Sequence, residues 1–264
     1  MSGKGIPDLV LFCDESHFGQ KTEHANFLGG LITKGEYMQE VWATLQAAAA
    51  GMPKDSREIK WGHLTQQNYG YYETVVRSLH SLVKVRKAKL RLFCTRRDQI
   101  DFRFSNAKGS ETYFNLYFQF LSSDFGLLEN REEWGTVGFA LDEGNNRGTN
   151  AKKFDEKVTG HFSRKCKDGK IVKPQIIWVD SKDRLPLNVV DLYLGAWSYR
   201  LNGLGAGKES GHPKRRLSDL IFGELVPDVA PAGYSTTRAS YSADLTLSQA
   251  AWLNLYRQRF FKHR

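Results

Sequence analysis

Three apolar, strand-like runs in this chain end on aspartate. LVLFCDES closes on Asp14 and Glu15, VGFALDEG on Asp142 and Glu143, and QIIWVDS on Asp180. An acid at the end of a central strand costs desolvation energy unless something positive lies beside it. A solvated strand end explains one such acid easily. Three in matching contexts restrict the fold more tightly, because in open α/β sheets the functional crevice lies beyond the carboxyl ends of the parallel strands. If these strands are neighbours with a common direction, their acids converge there.

A fourth acid lies on a helix. In PLNVVDLYLGAWSYRL, Leu187, Val190, Leu194, Trp197 and Leu201 form one apolar stripe. At about 100° per residue, Asp191 falls on its flank, between Gly195 and Ser198. An acid in that position requires a base or a metal ion as partner. On strand 137–142, Asp142 shares its face with Gly138 and Ala140, small residues that leave room for another element.

Carboxylate-dominated sites suit Mg²⁺ or Mn²⁺, whereas zinc favours His and Cys. Two such ions about 4 Å apart activate water and stabilise the leaving oxygen in phosphodiester cleavage. Asp14, Asp142, Asp180 and Asp191 are the expected metal ligands. Each of them, taken singly, also fits an ordinary cap or turn.

The rest of the chain reads as α/β. Residues 8–14 and 26–33 form two strands joined by a hairpin-like connection. Residues 36–50 and 65–83 are helical, with a short extended piece from Glu58 to Trp61 between them. Leu90, Leu92 and Cys94 alternate with Arg91 and Phe93, a half-buried strand pattern that leaves the basic Lys89 and Arg91 on the other face. The ETYFNLYFQFL segment is a helix whose Phe114, Tyr117, Phe118 and Leu121 form a core stripe. Two βα units follow: strand 136–142 with a helix near 150–165, and strand 175–180 with a helix from 186 to 201. Residues 202–215 read as a Gly-rich polar loop. A further helix begins near Thr246, with Gln249 placed for a capping box.

With 264 residues and 41% hydrophobic content, the chain can bury a substantial core. No apolar run approaches a membrane span, and Met1–Gly5 lacks the apolar segment of a signal peptide. A soluble, cytoplasmic protein with no membrane partner is the expectation. Cys13, Cys94 and Cys166 are widely spaced without a CxxC pattern, which argues against disulfides and structural zinc. His63, His80 and His212 lack metal-ligand spacing, and Gly203, Gly205 and Gly207 make no phosphate loop, since no strand precedes them. The formal net charge of +9 favours a polyanionic partner. Basic residues crowd Lys84–Arg97, Arg164–Lys173 and Lys208–Arg216. Lys89, Arg91, Lys214, Arg215 and Arg216 are therefore candidate nucleic-acid contacts, although a charge run in a loop is also simply solvated.

The DES after the first strand, EIKWGHL, LDEG and VDSKDRLPLNVVDLYLGA resemble the signatures of the bacterial domain-of-unknown-function 3800 family. The resemblance spans roughly residues 8 to 201, and its last segment is the most specific. It implies an RNase H-like mixed sheet flanked by helices, with insertions and a C-terminal extension. It also implies a metal-dependent nuclease, found among phage-defence and mobile-element genes, with Asp14, Asp142 and Asp191 as the acidic core. Asp180 matches the acid that opens the last signature, and Glu58 and Lys60 match the family's Glu-Ile-Lys element. Glu111, on the ETYF helix, competes with Glu58 to complete the site. Asn188 stands where Gln is common, and His17 where Gly commonly follows DES.

The expected organisation is a catalytic domain over 7–201, a Gly-rich basic loop region over 202–245, and a C-terminal helix over 246–264. The expected substrate is nucleic acid, RNA ahead of DNA, with Mg²⁺ or Mn²⁺ as cofactor and a protein partner from a defence or mobile-element operon. Two other readings fit the residues. One is a catalytically silent module that binds nucleic acid or a partner. The other is a metal-free hydrolase working with two carboxylates.

Overall fold

The computed structural model describes residues 6–16, 25–52, 58–96, 117–118, 120–121, 135–142, 149–165, 174–201, 204, 208–225 and 238–242. Strands β1 (Leu9–Ser16), β2 (Ala25–Lys34), β3 (Ala88–Arg96), β4 (Val137–Asp142), β5 (Gln175–Val179) and β6 (Arg238–Ser242) form one sheet in the order β5-β4-β1-β2-β3-β6. β1, β2, β3 and β6 pair antiparallel, while β4 and β5 run parallel to β1. The sheet is therefore mixed, with β1 at the junction of its two halves. β1, β4 and β5 share one direction, so the three acid-ended runs all point the same way.

Period-two alternation assigns each strand residue to a face. Leu9, Leu11 and Cys13 face one side with Leu28, Ile32, Val137, Phe139 and Leu141. There they meet Phe154, Val158 and Phe162 of helix α3 (Thr149–Lys165). Tyr117 and Leu121 of the expected core stripe are buried in this same layer and Phe118 packs against it, joined by Phe120, which the stripe did not include; Phe114 lies outside the described residues. Cys13 is a buried free thiol and behaves as a small hydrophobe. Phe12, Phe27, Leu31, Leu90, Leu92 and Ala140 face the opposite side. Helices α1 (Met38–Ala49), α2 (Tyr69–Lys84), α4 (Leu185–Leu201) and α5 (Pro213–Leu225) cover that side.

α4 is buried almost all round: Leu187, Val189, Val190, Leu192, Tyr193, Leu194, Ala196 and Trp197 all lie in the core. It packs directly on β1 and β2. Gly29 makes this approach possible, since a Cβ there would lie 2.9 Å from both Leu194 and Val190. Gly138, expected to admit another element, does so for the Pro7 ring rather than for a helix. At the other end of the sheet, the Asp8 carboxylate accepts the backbone N–H groups of Gly135 and Thr136 at 2.9 and 2.7 Å. That tie fixes the β1–β4 register and so decides what lies beside Asp14.

Two expectations change. The stretch read as loop to residue 215 becomes helical at Pro213, which takes the first helical position where its missing N–H costs nothing. α5 then carries Leu217, Ile221 and Phe222 into the same core as α4, so residues beyond 201 belong to the packed domain. Arg238–Ser242 adds an edge strand against β3, also within the region read as loop. His17, Glu111, Glu143, Cys166, Gly203, Gly205, Gly207 and the helix expected from Thr246 lie outside the described residues.

Candidate acidic site

Asp14 and Asp142 come together through strand register. Phe12 pairs with Ala140 and Cys13 with Leu141, so the next residue on each parallel strand is an aspartate. Phe12 and Ala140 face α4, and two residues on, Asp14 and Asp142 face it as well. Glu15, one residue along, points to the opposite face. Asp14 is only 6% exposed, and its Oδ1 accepts the Glu15 N–H at 2.7 Å. Burial pushes its carboxyl well above the usual range, and the charges of Glu15, Asp191 and Asp142 push it further.

Asp191 reaches the same place from α4, which the glycine at position 29 lets settle onto β1 and β2. Its Oδ2 accepts the backbone N–H of Trp61 at 2.6 Å. Burial raises its carboxyl; the Trp61 N–H and the Lys60 charge oppose that rise, and Glu58 and Asp142 add to it. Asp14, Asp142 and Asp191 thus lie within electrostatic range of one another, although 128 and 49 residues separate them along the chain.

The segment Glu58–Trp61 closes the site. Its extended backbone (Lys60 φ −129°, ψ 145°) alternates sides. Ile59 goes into the core at 3% exposure, and Glu58 and Lys60 turn the other way. Lys60 Nζ contacts Glu58 Oε1 at 2.7 Å, and Ser181 Oγ donates to the same oxygen at 3.1 Å. Burial pulls the Lys60 ammonium down, but its hydrogen bond to Glu58 and the charges of Glu58, Asp191 and Asp142 outweigh this and raise it. Tyr72 anchors the segment by donating from its hydroxyl to the Lys60 carbonyl at 3.1 Å.

Trp61 is seated by a second glycine. A Cβ at position 195 would overlap the Trp61 side chain, so the ring rests against bare α4 backbone. Asn188, Asp191 and Gly195 recur at i, i+3 and i+7 and share one helix face. Asn188 is 3% exposed, and its Oδ1 has no hydrogen-bond partner among the described residues.

Five of the expected site residues therefore assemble: Asp14, Glu58, Lys60, Asp142 and Asp191. Asp180 has a different place. It is exposed, and its Oδ1 accepts the Lys182 N–H at 3.0 Å, opening the short 3-10 turn Ser181–Asp183. From this motif it is the neighbouring Ser181, 5% exposed, that touches Glu58. Sequence reasoning passed over Ser181 and Trp61, one a common turn residue and the other an aromatic read only as part of a motif.

The basic candidates divide as well. Lys89 and Arg91 lie on β3, on the opposite face from Leu90 and Leu92, which turn towards α2. Arg216 is packed over the Tyr69 ring at 3.9 Å, and Arg215 Nη1 donates to the Lys208 carbonyl at 2.8 Å. Lys214 Nζ lies over the Trp61 ring at 5.8 Å. Among the described residues it has no carboxylate partner.

Among the described residues no group of three or more His, Cys, Asp or Glu side chains is placed to hold an ion together. The donors on offer are nonetheless all oxygens, and Asp14 is a buried carboxylate facing other acids. Mg²⁺ is commonly held by one or two carboxylates with waters and substrate phosphates. The residues fit that kind of site. No protein-family model and no curated protein sequence matches this chain. Among the described residues, no helix is long and apolar enough to cross a membrane.

Proposed function

We propose that this chain is a Mg²⁺- or Mn²⁺-dependent nuclease of RNase H-like fold that hydrolyses phosphodiester bonds. One observation carries the reading. Asp14, Asp142 and Asp191, from three elements distant in sequence, lie within electrostatic range of one another, with the Lys60 charge beside Asp142 and Asp191. The mixed sheet, with these acids at the carboxyl ends of β1 and β4 and on the helix above them, supports the fold assignment. The resemblance to the domain-of-unknown-function 3800 family supports it through the same residues.

Asp14 and Asp142 would hold the divalent ion, with water and substrate phosphate completing its shell and Asp191 adjoining it. A bound ion would polarise the phosphoryl group and lower the pKa of an attacking water. The Trp61 N–H fixes the Asp191 carboxylate, so its free oxygen needs no reorganisation when charge develops. Glu58, held by Lys60 and Ser181, is placed to accept a proton. The Lys60 ammonium offers a hydrogen bond to a phosphate or leaving oxygen. The net charge of +9 draws the polyanion towards a site whose own acids would repel it. RNA as the preferred substrate, a cytoplasmic setting, a phage-defence or mobile-element role and an operon-encoded protein partner belong to the same proposal.

The Lys60–Glu58 contact and the Trp61–Asp191 hydrogen bond favour a second reading, in which the acids are satisfied internally and the chain is a catalytically silent binding module. Labelled RNA and DNA incubated with the protein and Mg²⁺ or Mn²⁺ separate the two. The nuclease reading requires cleavage that EDTA abolishes and that Asp14→Asn and Asp142→Asn each remove. Cleavage indifferent to EDTA and to both substitutions would contradict it.

A further inference from the structure

The rim of the acidic site carries a second cluster that the hydrolytic chemistry does not use. Trp61 is half-buried, its ring edge-to-face with Tyr199 at 5.8 Å. Tyr199 in turn stacks on His212 at 6.5 Å with nearly parallel rings (10°). Lys214 Nζ lies over the Trp61 ring at 5.8 Å. Three elements meet here: the Glu58–Trp61 segment, the last turns of α4 and the start of α5.

Two polar atoms in this cluster lack partners. Tyr199, 6% exposed, has a hydroxyl with no hydrogen-bond partner among the described residues, and His212 Nδ1 has none either. Both atoms are shut off from solvent, so they belong to the packing behind Trp61, and the groups left to meet a ligand are the indole and the Lys214 ammonium. The neighbouring cations have their own tasks, with Arg216 on Tyr69 and Arg215 on the Lys208 carbonyl, which leaves Lys214. Ser218 Oγ donates to the Ala196 carbonyl at 3.3 Å and fixes α5 to α4. The Gly195 contact fixes Trp61 in the same way. These contacts hold Trp61 and α5 against α4.

We infer that Trp61, Tyr199, His212 and Lys214 form a docking subsite for one nucleotide of single-stranded nucleic acid at the edge of the acidic site. The inference rests on the nuclease reading for its ligand class and adds the strandedness. An indole ring stacks on any unpaired base, whereas in a duplex the base faces are covered by their neighbours. Lys214 supplies the phosphate contact that the acids cannot. Tyr199 and His212 pack behind the indole and hold its ring in place. Because the backbone N–H of Trp61 holds Asp191, a nucleotide stacked on its ring lies next to the acids.

Fluorescence anisotropy with labelled single-stranded and duplex oligonucleotides, in EDTA to prevent turnover, tests this. Wild-type protein is expected to bind the single strand at least tenfold tighter than the duplex. Lys214→Gln should weaken single-strand binding severalfold and reduce the salt slope by about one. Tyr199→Phe, which keeps the ring behind Trp61, should leave it within about twofold. Trp61→Leu should cost about tenfold while Trp61→Phe retains most of the affinity, and thermal melts identify any variant that has lost the fold. Equal affinity for duplex, or Lys214→Gln and Trp61→Phe, Leu series indistinguishable from wild type, would overturn the subsite. Binding that follows these expectations without metal-dependent cleavage would uphold the subsite and reject the nuclease reading; cleavage with indifferent binding would do the reverse.

Discussion

The backbone N–H of Trp61 donates to Asp191 Oδ2 at 2.6 Å, tying the Glu58–Trp61 segment to the helix that carries the third acid. The same tryptophan is packed against Gly195, one turn further along α4. One residue therefore sets the distance between the segment bearing Glu58 and Lys60 and the helix bearing Asp191.

Gly195→Ala tests that coupling. Alanine in an exposed helix normally gains about 1 kcal/mol over glycine. Here its Cβ would overlap Trp61, so the sign reverses: stability falls by roughly 1–3 kcal/mol, as overpacking costs. On the proposed nuclease reading, cleavage falls at least tenfold with it. Thermal unfolding and activity measured on the same preparation check both effects.

Asp14→Asn should stabilise the protein in EDTA. The unfolded carboxyl titrates near ~3.9, and burial and neighbouring acids hold the folded one well above its ordinary value. Between these two pKa values the folded state keeps a proton the unfolded state has lost, so stability falls as pH rises. The substitution removes that loss. At neutral pH the variant is therefore the more stable, read as a rise in Tm, and the gain vanishes below about pH 4, where the carboxyl is protonated in both states. If the acids hold the proposed ion, added Mn²⁺ stabilises the wild type and not the variant, narrowing or reversing the difference.

The two neighbours Asp180 and Ser181 should behave oppositely to a motif-based ranking. Asp180→Asn keeps a side-chain oxygen for the Lys182 N–H and leaves cleavage within about twofold, since Asn caps nearly as well as Asp. Ser181→Ala removes a hydrogen bond to Glu58, worth roughly 0.5–1.5 kcal/mol, and lowers cleavage severalfold. Side-by-side rates on one substrate decide the order.

Lys60→Gln removes the cation among Glu58, Asp142 and Asp191. Divalent-ion affinity should rise, because a competing charge is gone, while the cleavage rate falls. The Lys60 pKa is raised from an already high value, so the cation persists through neutral pH and is lost only on the alkaline side. The difference between wild type and variant should accordingly stay flat from about pH 6 to pH 9 as far as Lys60 is concerned. Calorimetric titration with Mn²⁺ at several pH values measures it.

The acids were legible in the sequence because each ends an apolar run or flanks a buried stripe, and such positions need a partner. Asp14, Asp142 and Asp191 met that condition. Asp180 met it too in one dimension, but its strand ends at Val179 and the acid turns outward to cap Ser181–Asp183. What decides the site's shape was not legible. Gly29 and Gly195 act through the side chains that fill their empty volume, Leu194 and Val190 in one case and Trp61 in the other. Those contacts join residues more than a hundred positions apart, and no local pattern marks them. α5 was hidden by the Gly-rich stretch before it; the Leu217, Ile221 and Phe222 spacing that makes it amphipathic follows only after Pro213.

Binding of Mn²⁺ to the intact chain, followed by electron paramagnetic resonance on wild type, Asp14→Asn and Asp191→Asn, addresses the metal site most directly. A divalent-ion site built from these acids requires saturable Mn²⁺ binding by the wild type, weakened at least tenfold in each variant while both remain folded. Wild-type protein that leaves Mn²⁺ free in solution, or variants that bind it as tightly as the wild type, would contradict that site.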